Sequence, residues 1–100
     1  MGISFTRSLV DRLTREIAEL ETTVRGHQQK RKKTLGKINQ LQRDQKLSQS
    51  ASDLSSKITR ENKLRKEIEQ IDAELAQMAK ALKEKQTLLA DQKGKSGSEG

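Results

Sequence analysis

The apolar residues of this chain return at alternating intervals of three and four, and that rhythm limits the fold more than any other feature. Val10, Leu13, Ile17, Leu20 and Val24 follow it, and the same frame runs on through His27, Arg31, Thr34, Ile38, Leu41, Gln45 and Ser48. A second series repeats it through Leu64, Ile68, Ile71, Leu75, Met78 and Leu82, then Lys85 and Leu89. A mean period near 3.5 gathers such residues into one ridge on a helix, so these are two a/d seams of a coiled coil. Proline is absent, and the strong helix formers Lys, Gln, Leu, Glu and Ala recur throughout. The expected class is all-α.

The two seams are out of phase. Carried backwards, the second passes through Glu61, Lys57, Leu54, Ser50 and Leu47, two residues off the first frame. The shift falls in the serine-rich run from Leu47 to Ser56, whose side chains compete for backbone hydrogen bonds and favour caps and turns. The spacing predicts a helix over about 5–48, a turn over about 48–53 and a helix over about 53–91, with Ser52 or Asp53 as the second N-cap. Residues 1–92 then form one antiparallel helical hairpin, and residues 93–100 have the composition of a flexible linker. Two other arrangements compete: a continuous rod with a stutter near residue 48, and a three-helix bundle broken at Gly26 and Gly36. In the hairpin, Leu20 lies opposite Leu75 or Leu82, and Val24 opposite Ile71 or Met78. Two aliphatic seams leave the register open.

Composition narrows the function. The chain has 100 residues, of which 35% are charged and 1% aromatic, with no cysteine and a single histidine. That excludes disulfide scaffolds and thiolate metal sites. No apolar run approaches the roughly 20 residues of a membrane span, and no signal peptide follows Met1. A narrow seam offers no walled pocket, so no enzyme, no cofactor and no small-molecule substrate are expected. His27 reads as a polar interruption of the first seam, with a metal or proton-switch role as the alternative. Glu61, Glu67, Glu69, Asp72 and Glu74 read as solubilising charges and i,i+4 partners on scattered faces. Met78 reads as a gap filler.

The net charge of +7 sits in one place. Arg25, Lys30, Arg31, Lys32, Lys33, Lys37, Arg43 and Lys46 face Asp44 alone over residues 25–46. Such a run serves as a solvated or partner-docking face, or as an anion site for a membrane or nucleic acid. The candidate anion-binding residues are Arg25, Lys30, Arg31, Lys32, Lys33 and Lys37. Arg31 falls in the seam, where its stem packs and its head reaches Glu61 in a polar layer that sets register. The opening Met1-Gly2-Ile-Ser-Phe-Thr6 also fits a loose N-myristoylation pattern, while Ile3 and Phe5 read as an extension of the first seam or a cap on the bundle end.

The segments Lys37-Ile-Asn-Gln-Leu-Gln42, Ser52-Asp-Leu-Ser-Ser-Lys-Ile58 and Lys83-Glu-Lys-Gln-Thr-Leu-Leu89 resemble the N-terminal coiled-coil region that precedes the TIR domain in bacterial Toll/interleukin-receptor-like proteins. The resemblance spans about residues 5–90. It implies a cytoplasmic bacterial module that brings TIR domains together, and TIR domains can self-assemble and cleave NAD. The TIR sheet, its loops and its catalytic glutamate have no counterpart in this chain, so no active-site residue is carried over. The linker-like tail is where such a domain would attach.

The expectation is therefore a hairpin that self-associates into a bundle, as a homodimer or higher oligomer, or that pairs with another helical protein. The seam expected to carry this is Leu13, Ile17, Leu20 and Val24 with Ile68, Ile71, Leu75, Met78 and Leu82. A small secretion-apparatus or chaperone-like coiled coil shares the same architecture. The alternative is a polyanion-binding module acting through residues 25–46.

Overall fold

The computed structural model describes residues 2–99, with side chains over 6–94. It is an all-α hairpin of two helices, α1 (Gly2–Leu47) and α2 (Ala51–Glu99). No strand occurs among the described residues. Ile3, Phe5 and the sequence pattern at Gly2 lie outside the described side chains.

The helices follow the apolar frames closely. In α1, every frame position from Val10 to Gln45 is buried or half-buried, and in α2 the same holds from Leu54 to Leu89. Leu47 and Ser50, which lie on the backward extension of the second frame, are exposed, Leu47 by 78%. The phase shift is absorbed in a turn of Ser48, Gln49 and Ser50, so each helix starts its own frame. Gly26 and Gly36 do not break α1, and no described residue has positive φ. The rod and the three-helix bundle are thereby replaced by a two-helix hairpin.

The turn is shorter than expected, and its cap is a different residue. Ser50 Oγ accepts from the Asp53 N–H at 3.3 Å, and the Leu54 N–H donates to the Ser50 carbonyl at 2.9 Å, the first bond of α2. Ser50 is therefore the N-cap, in place of Ser52 or Asp53. Asp53 acts through its side chain instead. Its Oδ2 accepts from Ser48 Oγ at 2.7 Å and from Lys57 Nζ at 2.6 Å, and its charge suits the first turn of a helix. The α1 end is closed by Ser48 N–H donating to the Gln45 carbonyl at 3.2 Å. At the other end, α2 remains helical to Glu99, through residues whose composition reads as linker. No proline or left-handed residue stops it there.

Packing falls into two units. Gly26–Leu75 contains the turn, and its core is Ile38, Ile68 and Ile71 with half-buried Leu41, Leu54, Leu64 and Leu75. Thr34, 4% exposed, is the buried polar residue of this core, and its hydroxyl donates to the Lys30 carbonyl at 2.9 Å. That satisfies the group without help from α2. The second unit joins Met1–Arg25 to Ala76–Gly100. Leu13 and Ile17 are buried there, with Val10, Leu20, Val24, Met78, Leu82 and Leu89 half-buried. No described helix is long and apolar enough to cross a membrane.

Candidate functional site

Side-chain pairs between the helices set the register that two aliphatic seams leave open. In the unit Gly26–Leu75, His27 Nε2 lies 2.6 Å from Glu74 Oε2, and Arg31 Nε donates to Asp72 Oδ1 at 2.6 Å. Nearer the turn, Gln45 Nε2 donates to Glu61 Oε1 at 2.8 Å while Arg65 Nε donates to Glu61 Oε2, also at 2.8 Å. In the other unit, Lys85 Nζ donates to Glu16 Oε1 at 3.0 Å. One turn further along each helix that register sets Leu20 opposite Leu82, and two turns further it sets Val24 opposite Met78, one of the two registers open to each.

These pairs correct two sequence readings. Arg31 does not meet Glu61; antiparallel pairing brings it to Asp72 and gives Glu61 to Gln45, in a seam layer made of an amide and a carboxylate. Asp72 and Glu74 are not merely solubilising charges, since each reaches across to α1. Of the five acids, Glu61 makes the expected i,i+4 ion pair, to Arg65. Sequence reasoning missed the cross-helix roles because they depend on register. The available signal was position: Glu74 and Asp72 flank the seam residues Leu75 and Ile71.

A groove in the same unit carries the register argument further. It is lined by Lys37, Gln40, Asp44, Arg60, Lys63 and Glu67 over half-buried Leu41 and Leu64. Antiparallel register sets Lys37 at the level of Glu67, and Asp44 at that of Arg60. Slipping α2 by one heptad one way would set Lys37 at the level of Arg60 and Asp44 at that of Asp53, opposing like charges twice; the other slip sets Asp44 at the level of Glu67 but Lys37 at that of Glu74, so charge disfavours the first slip and is neutral to the second.

The carboxylates in these contacts are held acidic. Hydrogen bonds lower the pKa of each: from His27 and Gln70 for Glu74, from Arg65 and Gln45 for Glu61, from Lys57 and Ser48 for Asp53, and from Lys85 for Glu16. Asp72 raises the pKa of Arg31 in the same way. No group of three or more metal-ligating side chains forms among the described residues.

The basic run is partitioned by the fold. Arg31 is bound to Asp72, and Arg25 Nη2 donates to Thr22 Oγ1 at 3.3 Å. Lys30 lies close enough to Glu74 to help depress its pKa. Lys32, Lys33 and Lys37 are exposed, as are Arg43 and Lys46, and none of these five has an ion-pair partner among the described residues. The acids of this unit are largely engaged in contacts that hold its own chain together, which leaves the cationic excess facing solvent.

All nine expected seam residues lie on the packed faces: Leu13, Ile17, Ile68 and Ile71 are buried, and Leu20, Val24, Leu75, Met78 and Leu82 are half-buried. No family model, curated protein or solved structure matches the chain.

Proposed function

We propose that this chain is a non-catalytic self-association module: a helical hairpin that pairs with a second copy and holds attached or partner domains at raised local concentration. Tethering turns a weak contact between such domains into an effectively intramolecular one. The observation behind this reading is the amount of surface left uncovered. The chain exposes 7697 Å². A compact globular chain of 11.3 kDa exposes about 5,700 Å². The surplus is larger than the ~800 Å² that each partner contributes to a standard interface. Leu35, Ile58 and Leu88 remain exposed beside a seam in which no side chain is completely buried.

The resemblance of residues 5–90 to the coiled coil preceding bacterial TIR domains gives the module a role: assembling TIR domains in the cytoplasm, so that their own surfaces engage. Sedimentation equilibrium across a hundredfold concentration range tests the association. The expected mass is at least twice that of the chain, and a single-chain mass at every concentration refutes the proposal.

A further inference from the structure

Within the unit Gly26–Leu75, the two flanks of the packed seam differ in kind. On one flank α1 presents Leu35 and, one heptad on, Gln42, while α2 presents Ile58, Arg65 and Asp72 at the same spacing. Side-chain contacts tie the two series together, since Gln42 donates to Glu61 and Arg31 donates to Asp72. Leu35 is 36% exposed and Ile58 43% exposed. The charges beside them already have partners, Arg65 in Glu61 and Asp72 in Arg31. The groove lies on the other flank, where Lys37, Arg60, Lys63 and Glu67 have no ion-pair partner among the described residues.

That difference decides which flank suits a second copy of the chain. Covering the groove flank would strip water from four unpaired charges. The outer face of α1, with Lys33 and Arg43, would meet a copy that carries the same net charge of +7. The flank of Leu35 and Ile58 offers aliphatic surface beside charges already neutralised. Its edges also complement each other. Lys32 lies on the α1 edge, three residues before Leu35, and Glu69 on the α2 edge, three before Asp72. Both are exposed, and neither has an ion-pair partner among the described residues. Counted from the Gln45–Glu61 contact, Glu69 stands at the level of Lys37, and counted from Arg31–Asp72, at that of Thr34. Either level is within about 8 Å of Lys32 along the helix axis.

We propose that a second copy packs on this flank about a twofold axis running along the hairpin, so that α1 of each copy lies antiparallel against α2 of the other. Leu35 then approaches the partner's Leu35 across the axis, Ile58 approaches the partner's Ile58, and Lys32 pairs with the partner's Glu69 on each edge. Neighbouring helices are antiparallel throughout, as in an up-down four-helix bundle, and the interface is isologous. Turning the second copy end for end, so that Leu35 approaches the partner's Ile58, would stack α1 on α1. Lys32 would then face the partner's Lys46, opposing like charges. The inference rests on the reading of the chain as a self-association module, to which it adds the face and the orientation.

Sedimentation equilibrium of substituted chains tests both parts. Leu35→Lys combined with Ile58→Lys should raise the dimer dissociation constant more than about tenfold, because it puts a charge into each apolar contact. Leu47→Lys, at a more exposed leucine outside this flank, should leave it unchanged. Leu35 and Ile58 are surface positions, so helicity by circular dichroism should hold. Lys32→Glu alone and Glu69→Lys alone should each weaken association severalfold, since each dimer holds the pair twice. The two changes together should restore it. A single-chain mass for the unaltered chain at every concentration would remove the self-association reading and this one with it. A dimer that resists the Leu35 and Ile58 changes keeps that reading and overturns the face. A dimer that Lys32→Glu strengthens, or that the double change fails to restore, overturns the orientation.

Discussion

His27 and Glu74 meet across the unit Gly26–Leu75 at 2.6 Å, the histidine from a seam position and the glutamate from the flank of the facing helix. The pair converts an interruption of the apolar ridge into a register mark, because no other seam position of α1 carries an imidazole. Such polar layers specify alignment at some cost in stability. His27→Leu should accordingly raise the melting temperature by roughly 5 °C, since it restores an aliphatic seam residue and leaves Glu74 free to be solvated. Thermal melts followed by circular dichroism check this. A lower melting temperature would mean that the pair stabilises more than a leucine could.

Four carboxylates set the response to acid. Glu16, Asp53, Glu61 and Glu74 have pKa values below those of the unfolded chain, so in acid the unfolded state takes up protons first. Their contribution is complete above the unfolded values, about 4 to 4.5, and is lost as pH falls through the lower folded ones. Acidification also leaves 21 Lys and Arg without counter-charge. Melting temperature should therefore fall steadily between about pH 4.5 and pH 2.5. A chain equally stable or more stable at the acid end of that range would show that these contacts contribute nothing net.

Leucines 13 and 47 differ in burial, not in chemistry. Leu13 is 2% exposed in its unit, and Leu47 protrudes beside the turn. Leu13→Ala should cost about 2–5 kcal/mol through lost burial and the cavity left behind. Leu47→Ala should change stability by less than about 0.5 kcal/mol. Urea denaturation of the two variants separates them, and similar midpoints would place Leu13 outside the packed seam.

Helix class, hairpin topology and the packed faces are legible in the sequence because they depend on local periodicity. A residue spaced three or four from Leu13 or Ile71 falls on the same ridge whatever the partner is, and the frame positions from Val10 to Gln45 and from Leu54 to Leu89 are all at least partly covered. Pairing is not legible. Whether Arg31 meets Glu61 or Asp72 depends on where the chain turns, and composition spreads the turn over a few residues too many. It marks the serine-rich run but cannot choose among its serines, since Ser48, Ser50 and Ser52 all suit a cap. In the basic run, composition reports charge but not engagement. It does not reveal that Arg31 is tied to Asp72 while Lys32 and Lys33 are left outward.

Ser50 gives the turn its sharpest test. Its hydroxyl accepts from the Asp53 N–H, while Ser48, two residues earlier, donates to the Asp53 carboxylate. The two serines thus act on opposite sides of one residue, the backbone and the side chain of Asp53. Ser50→Ala leaves a first-turn N–H without its acceptor and should cost about 1 kcal/mol. Ser52 lies inside α2, past the cap, and alanine is the better helix former, so Ser52→Ala should be neutral or slightly stabilising. Chemical denaturation of both variants discriminates. A larger loss for Ser52→Ala than for Ser50→Ala would move the start of α2 two residues downstream.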